Sequence, residues 1–321
     1  MDEFYCIEKY IRPLLHSGIQ SENDDSAHIQ VPKRSLIATK DIIVEGVHFL
    51  SGADPLFLAK KALRVNLSDL ASMGAVPHSY LLGLSLPKNT CKTWWKRFSK
   101  GLKEDNELYS IKLVGGDTTS NLSNIIVISI TALGIPSDKV LTRSGAKIGD
   151  ILYVSGTIGD ATLGLMAYKS QIHGKCIYVK RRYDLPVPRV SLGTEIAGIA
   201  TACIDISDGL LQDVKKLCHL SRVGANINAD SIPLSTEAQS LIKGNIDLFE
   251  DAIAGGDDYE LAFTVPAGDC HVVESIASSI GVRISKIGVI SQEKTVSVYD
   301  KYGKNMSITK RGYTHNFLGN H

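Results

Sequence analysis

The chain has 321 residues, 44% of them hydrophobic, and 35 basic against 34 acidic side chains interleaved along it for a formal net charge of +1. That length suits two domains of roughly 150 residues each, and the absence of any basic block or tail argues against nucleic acid or an anionic membrane surface as a partner. The six cysteines (Cys6, Cys91, Cys176, Cys203, Cys218, Cys270) are scattered without a CxxC, which speaks against a zinc site or a disulfide framework and fits a reducing compartment.

Residues 3–16 carry helical apolar spacing through Phe4, Ile7, Ile11, Leu14 and Leu15. The acidic, amphipathic start, Met1-Asp2-Glu3-Phe4, is unlike a signal peptide. Ser35–Thr39 and Ile42–Phe49 read as two strands, and residues 54–74 as a long, mostly buried helix opened by Asp54 as N-cap and Pro55 in the first turn. Tyr80–Leu86 reads as a strand, Thr90–Asn106 as a helix bearing Trp94, Trp95 and Phe98, and Ile111–Val114 and Ile125–Leu133 as strands. The longest uncharged run, Thr118 to Ser137, contains Asn, Ser, Gly and Pro; it reads as a turn and a buried strand and not as a membrane span. The polar stretch from Pro136 to Gly149 is the expected domain boundary, dividing the chain into 1–137 and 138–321.

Beyond it, Ile151–Ser155 reads as a strand, Ala161–Tyr168 and 188–201 as helices, Cys203–Ile206 as a short strand and Leu210–Leu220 as a helix. Residues 258–265, 284–290 and 295–299 follow as strands, with a helix at 269–280. Each half mixes strands and helices, so the expected class is α/β (α+β) in two domains. Gly115-Gly116-Asp117 and Gly255-Gly256-Asp257 echo each other between the halves, a weak sign of duplication because Gly-Gly-Asp is a common turn.

Aspartates recur in short motifs at the ends of these elements: Asn23-Asp24-Asp25, Lys40-Asp41, Asn66-Leu67-Ser68-Asp69, Gly115-Gly116-Asp117-Thr118-Thr119, Asp205-Ile206-Ser207-Asp208-Gly209 and Gly255-Gly256-Asp257-Asp258. Carboxylates that converge in a cleft repel one another unless a cation neutralises them. Mg²⁺ is usually held by one or two carboxylates together with substrate phosphates, so the set suggests magnesium and a phosphorylated ligand. Read singly, each motif also has a plain structural explanation. Asp24-Asp25 is a serviceable turn, and Lys40 could be a salt-bridge partner of Asp41. Asn66 and Asp69 share one face of an otherwise apolar helix by i,i+3 spacing, which means either a solvated face or a polar site. Gly115-Gly116-Asp117-Thr118-Thr119 reads as a turn whose glycines would let the backbone approach a ligand. Ser207 or Asp208 would cap the helix that follows; the second carboxylate is then unexplained, and a cation or phosphate could sit at that helix N-terminus. Gly156-Thr157-Ile158-Gly159-Asp160 could cradle phosphate but lacks the Lys-Ser/Thr of a P-loop. Arg143 could pair with a phosphate or with a surface acid. There is no GxGxxG after a strand, no GxSxG and no HExxH. Carboxylates, glycine turns and hydroxyls without a nucleophile–base pair suit phosphoryl transfer, in which positioning and charge neutralisation do most of the catalysis.

The order and wording of these motifs resemble the thiamine-monophosphate kinase family. The matching segments are Val44-Glu45-Gly46-Val47-His48-Phe49, Lys61-Ala62-Leu63 with Val65-Asn66-Leu67-Ser68-Asp69-Leu70-Ala71, Gly115-Gly116-Asp117-Thr118-Thr119, Thr142-Arg143-Ser144-Gly145-Ala146-Lys147, Gly149-Asp150, Asp205-Ile206-Ser207-Asp208-Gly209-Leu210, Gly255-Gly256-Asp257-Asp258-Tyr259-Glu260-Leu261, and Gly312-Tyr313 with His315 and Phe317. The resemblance implies a two-domain fold like aminoimidazole ribonucleotide synthetase: an N-terminal metal- and ATP-binding domain that dimerises through its sheet, and a C-terminal α/β domain that completes the ATP and substrate site. It implies ATP- and Mg²⁺-dependent phosphorylation of thiamine monophosphate to thiamine diphosphate by direct transfer, with several Mg²⁺ ions, in a cytoplasmic homodimer without nucleic-acid or membrane partners. By the same resemblance Asp25, Asp41, Asp69, Asp117, Asp205 and Asp208 would hold metal. Gly116, Asp117, Arg143 and Ser207 would contact ATP, and His48, Asp257 and Tyr313 the thiamine end. No side-chain base is implied, because a phosphate oxygen is already a nucleophile. Arg143 and the metals would supply the charge stabilisation.

This sequence departs from the family pattern at Ser21-Glu22-Asn23 in place of Gly-x-Gly, Lys40 in place of Thr, Asp257 in place of Glu, and Ser120-Asn121 in place of Arg-Gly. A protonated Lys40 cannot ligate a metal; it either supplies charge otherwise given to one Mg²⁺ or points away. Two other readings fit the same motifs: another ATP-using synthetase of the superfamily, or a non-catalytic nucleotide- and thiamine-phosphate-binding protein.

Overall fold

The structure, a computed structural model, describes residues 9–10, 13, 36–137, 139–243, 245–310 and 312–313. The chain divides into two compact units: residues 1–70 with 75–137, and residues 71–74 with 138–321.

The first unit is built on a four-stranded sheet of order β1-β4-β2-β3, with β1 Ile37–Val44, β2 Ala75–Pro87, β3 Lys112–Asn121 and β4 Val127–Pro136. The β1/β4 and β4/β2 pairs are antiparallel and β2/β3 is parallel. Helix α1 (Pro55–Ser72) packs beside helix α2 (Lys92–Leu108). Gly101 of α2 lies at a close approach to α1, since a Cβ there would fall 2.3 Å from the Leu56 carbonyl oxygen. The expected N-cap is present: the Asp54 carboxylate accepts the Leu56 N–H at 3.0 Å. Buried between the two helices, Arg64 forks onto Asp105 through Nε at 2.6 Å and Nη2 at 2.8 Å. The opposite face of the sheet is open. Ala38, Lys40 and Ile42 of β1 point outward in alternation with Thr39, Asp41 and Ile43, and Val76 and Leu81 of β2 are also exposed.

Two sequence expectations are corrected here. The segments read as strands 35–39 and 42–49 are one continuous strand, β1, followed by a turn at 46–48. Apolar residues cluster at both ends of that stretch, and the polar Thr39-Lys40-Asp41 between them looked like a break. Likewise Gly115-Gly116-Asp117-Thr118-Thr119 is not a turn but the body of β3, paired in parallel with Leu81–Ser85. The Gly255-Gly256-Asp257 segment, in contrast, is a loop, so the echo between the two motifs is one of sequence and not of conformation.

The second unit carries a six-stranded sheet of order β10-β7-β9-β5-β8-β6, antiparallel except for the β10/β7 pair. The strands are β5 Ile151–Ser155, β6 Ala202–Asp205, β7 Gly224–Asn228, β8 Leu261–Val265, β9 Ile284–Ser291 and β10 Val296–Tyr299. The helices are α3 Asp160–Tyr168, α4 Ile177–Asp184, α5 Val190–Ile196, α6 Leu210–Ser221, α7 Thr236–Ile242, α8 Ile246–Ala254 and α9 Cys270–Ser279. Period-two alternation splits the strands between two cores. Leu152, Val154, Ile204 and Ala262 pack toward α6, whereas Tyr153, Cys203, Phe263 and Val265 pack toward α5 and α9. Both faces being covered explains the nearly unbroken apolar runs of β5, β6 and β8. Strand β7 (Gly-Ala-Asn-Ile-Asn) and helices α4, α7 and α8 were not among the expected elements; each is short, nine residues at most.

Candidate functional site

In the first unit, alternation along β1 turns Thr39 and Asp41 toward α1, where Asp69 is on the facing side. The Thr39 hydroxyl donates to Asp69 Oδ2 at 2.5 Å. The Asp41 carboxyl is hydrogen-bonded to Asp69; burial first, then the Asp69 charge and that hydrogen bond, push it up to about 7. Asp69 therefore belongs to a polar site and not to a solvated face. One turn earlier on α1, Asn66 is fully buried, its Nδ2 donating to the Ala62 carbonyl at 3.0 Å while Oδ1 accepts no bond. Lys40 points to the other face of the sheet, where Nζ donates to Ser129 Oγ at 2.6 Å. It thus contributes no charge beside Asp41, which disposes of the idea that it stands in for a cation there.

Two carboxyl groups and a hydroxyl form a hard-oxygen set suited to Mg²⁺, which needs only one or two protein carboxylates when phosphates complete its shell. Among the described residues no three His, Cys, Asp or Glu side chains gather as a metal cluster. Because the folded state holds a proton on Asp41 that the unfolded chain has already lost, stability of the metal-free protein should fall as pH rises from about 4 to about 7. Cation affinity runs the other way. Below pH 7 the apparent Mn²⁺ affinity should rise about tenfold per pH unit and then level off. Asp41→Asn should flatten this profile, as read by Mn²⁺ electron paramagnetic resonance.

Asp117 and Gly116 lie on β3, at the other edge of the sheet. The row Asp41–Ile130–Leu82–Gly116 crosses all four strands, so Asp41 and Gly116 are separated by about 14 Å. Gly116 is there because β3 approaches β2 closely: a Cβ would fall 1.9 Å from the Leu82 carbonyl oxygen. Gly116→Ala should separate this edge pair and cost roughly 3 kcal/mol or more of stability, seen as a lower urea midpoint by tryptophan fluorescence. His48 sits in the turn after β1, where its Nδ1 accepts the Val44 N–H at 3.1 Å; that bond leaves the proton on Nε2. Asp25 lies outside the described residues, as do the Ser21-Glu22-Asn23 departure, His315 and Phe317.

In the second unit, the loop after β6 is tied to two other segments. The Asp257 N–H donates to the Ser207 carbonyl at 2.9 Å, and the Tyr259 N–H to the Ile206 carbonyl at 2.8 Å. The Tyr313 N–H donates to the Asp208 carbonyl at 3.0 Å, and Gln212 Nε2 to the Tyr313 carbonyl at 2.8 Å. Ser207, Asp208, Asp257 and Tyr313 are thereby brought together, with Asp205 buried at the end of β6. Asp257 and Tyr259 both have left-handed backbone, φ +71° and +51°. Asp tolerates that region and Tyr does not readily, so the segment holds roughly 1 kcal/mol or more of strain.

The expected helix cap is corrected. Neither Ser207 nor Asp208 caps α6, whose preceding residue is Gly209. Instead the Asp213 carboxylate reaches back from the first turn and accepts the N–H groups of Ser207 at 3.0 Å and Asp208 at 2.9 Å. The anion at this helix start is the protein's own. Lys216 Nζ bridges Asp208 at 2.5 Å and Asp213 at 2.7 Å. Burial pushes the Asp213 carboxyl up, and Lys216 opposes that shift. The Gly156–Asp160 turn is not a phosphate cradle either. The buried Asp258 carboxylate already accepts the Gly159 N–H at 2.7 Å and the Ala161 N–H at 3.3 Å. Arg143 is exposed in a loop whose backbone is held by Ser221, at the far end of α6. The twelve-residue helix, about 18 Å long, separates that anchor from Asp208.

Sequence reasoning missed Asp213, Lys216, Arg182 and Arg189, and gave no role to Asp258 and Glu260 although both stand in a quoted motif. An acid and a base at i,i+3 in α6 were a usable sign for the first pair; the two arginines meet Glu260 across long sequence separations and left none.

Known proteins resemble this chain along its whole length. Residues 23–136 match the AIR synthase related protein N-terminal domain and residues 147–301 the corresponding C-terminal domain. A curated thiamine-monophosphate kinase of Caulobacter vibrioides is 37% identical, over 98% of this chain and 90% of that protein. The crystal structure of thiamine-monophosphate kinase from Stenotrophomonas maltophilia K279a superposes with a TM-score of 0.83 at 35% identity, covering 93% of this chain and 96% of that one. The structure of AaThiL complexed with AMPPCP and TMP gives a TM-score of 0.76 at 31% identity, covering 91% of each chain.

Proposed function

The chain belongs to the thiamine-monophosphate kinase family of AIR synthase related proteins, and we propose that it transfers the γ-phosphoryl group of ATP directly to the phosphate of thiamine monophosphate, the final step in making thiamine diphosphate. The observation that carries this reading is the end-to-end similarity to kinases of that name, one of them complexed with AMPPCP and TMP. No nucleophilic side chain is required, because a substrate phosphate oxygen attacks. What the protein supplies is position and charge.

Mg²⁺ is the cofactor this chemistry calls for; when bound it neutralises phosphate charge and orients the transferring group. Asp41 and Asp69 would hold one ion in the first unit, with Asp25 assigned beside them; Asp117, on the far edge strand about 14 Å from Asp41, would hold a different ion, and Asp205 and Asp208 would hold Mg²⁺ in the second unit. The paired Asp41 and Asp69 carboxyls support this most directly, since their mutual repulsion and burial push Asp41 up to about 7 and a cation would relieve that repulsion. Gly116, Asp117, Arg143 and Ser207 are assigned to ATP. His48, Asp257 and Tyr313 are assigned to thiamine, whose cationic ring and amino group suit a carboxylate and an aromatic ring. The open sheet face of the first unit, with Ile42, Val76 and Leu81 exposed, is assigned to a homodimer, testable by light scattering. No helix among the described residues is long and apolar enough to cross a membrane; together with free cysteines this supports a cytoplasmic enzyme.

Incubation with ATP, Mg²⁺ and thiamine monophosphate should yield ADP and thiamine diphosphate in equal amounts, and EDTA should abolish both. Binding of both substrates without ADP release would overturn the kinase reading in favour of a binding protein. ADP formed only with a purine precursor would favour a synthetase of the same superfamily.

A further inference from the structure

The Asp257–Glu260 segment is anchored at alternate residues by charges buried beneath it. Asp258 turns inward onto the Gly159 and Ala161 N–H groups, and its carbonyl accepts Arg182 Nη2 at 3.2 Å. Glu260, fully buried, receives a fork from Arg189 through Nε and Nη2, both at 2.6 Å. It also accepts Arg182 Nη2 at 2.9 Å and the Ser155 hydroxyl at 2.6 Å. The cluster fills space that only a glycine leaves open: a Cβ on Gly156 would lie 2.1 Å from Glu260 Oε1 and 2.6 Å from Arg189 Nη2. With residues 258 and 260 held inward, Asp257 and Tyr259 are forced outward in left-handed backbone, and the Tyr259 hydroxyl donates to Asp257 Oδ1 at 3.2 Å. A backbone outlier of this kind persists only where its surroundings over-determine it. Buried ion pairs made of one carboxylate and two guanidiniums are a costly way to gain stability, which points to positioning as their use.

We propose that Glu260, clamped by Arg182 and Arg189, is a positioning residue that locks the outward geometry of Asp257 and thereby sets affinity for the thiamine end of the substrate; this rests on the reading of Asp257 as a substrate contact. Glu260 itself is fully buried. The influence of this cluster passes through the Asp257 backbone.

The experiment is steady-state kinetics on Arg189→Lys, Glu260→Gln, Asp257→Asn and the Arg189→Lys/Asp257→Asn double variant. Arg189 is the more exposed partner, 19% against 8% for Arg182, so Arg189→Lys keeps the charge, breaks the fork and leaves a folded protein even where Glu260→Gln does not fold. The expected result is a rise of about tenfold in KM for thiamine monophosphate with KM for ATP within about twofold. The double variant should then be no worse than about twofold beyond Asp257→Asn alone, because both changes remove one interaction. A scaffold role would instead lower kcat and the melting temperature and move both KM values together. The proposal is overturned if Arg189→Lys leaves KM for thiamine monophosphate within twofold while Asp257→Asn raises it, or if the two effects multiply. If Asp257→Asn itself changes nothing, the assignment of Asp257 to substrate fails, and the positioning role fails with it.

Discussion

Asp69→Asn should cut turnover by two to three orders of magnitude, roughly the loss seen when one preorganised charge-stabilising group is removed, while making the metal-free protein more stable. The two effects have one origin. Above pH 7 the Asp41 and Asp69 carboxylates are both ionised and face each other in a partly buried site, a repulsion that a bound cation relieves. An amide at position 69 keeps the Thr39 hydroxyl bond and removes the like charge. Metal-free stability at pH 8 should rise by roughly 1–3 kcal/mol, and Mn²⁺ affinity should drop on the order of a hundredfold. Calorimetry with and without Mn²⁺ distinguishes this from general damage: the variant should melt higher than the parent without metal and gain less from it. A variant that melts lower in both conditions would remove Asp69 from the metal site.

Asp105→Ala should unfold the first unit at a much lower urea concentration, with a loss of about 3–5 kcal/mol. Asp105 is completely buried and receives both arms of the Arg64 fork, with Lys60 Nζ 3.8 Å away. Removing the carboxylate takes from a guanidinium buried between α1 and α2 the acceptor of both arms of its fork. Both tryptophans, Trp94 and Trp95, belong to α2, so intrinsic fluorescence reports this unit alone. An Arg64→Met/Asp105→Leu pair should recover most of the loss, because apolar replacement of both partners of a buried ion pair is often neutral. Failure to recover would mean that the fork positions α1 against α2 more specifically than apolar packing can.

Much of the fold was legible from local signals. The Asp54-Pro55 start of α1 carries cap chemistry and the Trp-bearing helix strong periodicity, while strand β5 and the strand before Asp205 are short apolar runs bounded by polar or glycine residues. Where glycines or polar residues interrupted a pattern, reading failed in a consistent direction. Thr39-Lys40-Asp41 split one strand into two, and Gly115-Gly116 turned an edge strand into a turn. Read as one strand, β1 would have put Lys40 and Asp41 on opposite faces by period two alone, and the question of Lys40 standing in for a cation would not have arisen. The Gly156–Gly159 turn has the composition of an anion cradle; its anion is Asp258, distant in sequence and carried by the same chain.

The sequence by itself determined the family, the reaction class and which residue types carry charge, because ordered motifs of acids, glycines and hydroxyls survive as linear text. Only the tertiary structure decided which of those groups meet. Asp41 and Asp69 come from different elements, and their contact depends on strand alternation and on the face of α1 turned toward the sheet. Asp208 meets Tyr313, and Glu260 meets Arg182 and Arg189, through folding of distant segments. Proximity and burial shift a carboxyl's ionisation, and both are properties of packing. Hence a carboxyl pushed up to about 7 at Asp41, and a buried carboxylate–diguanidinium clamp beneath Asp257, had no counterpart in the linear pattern.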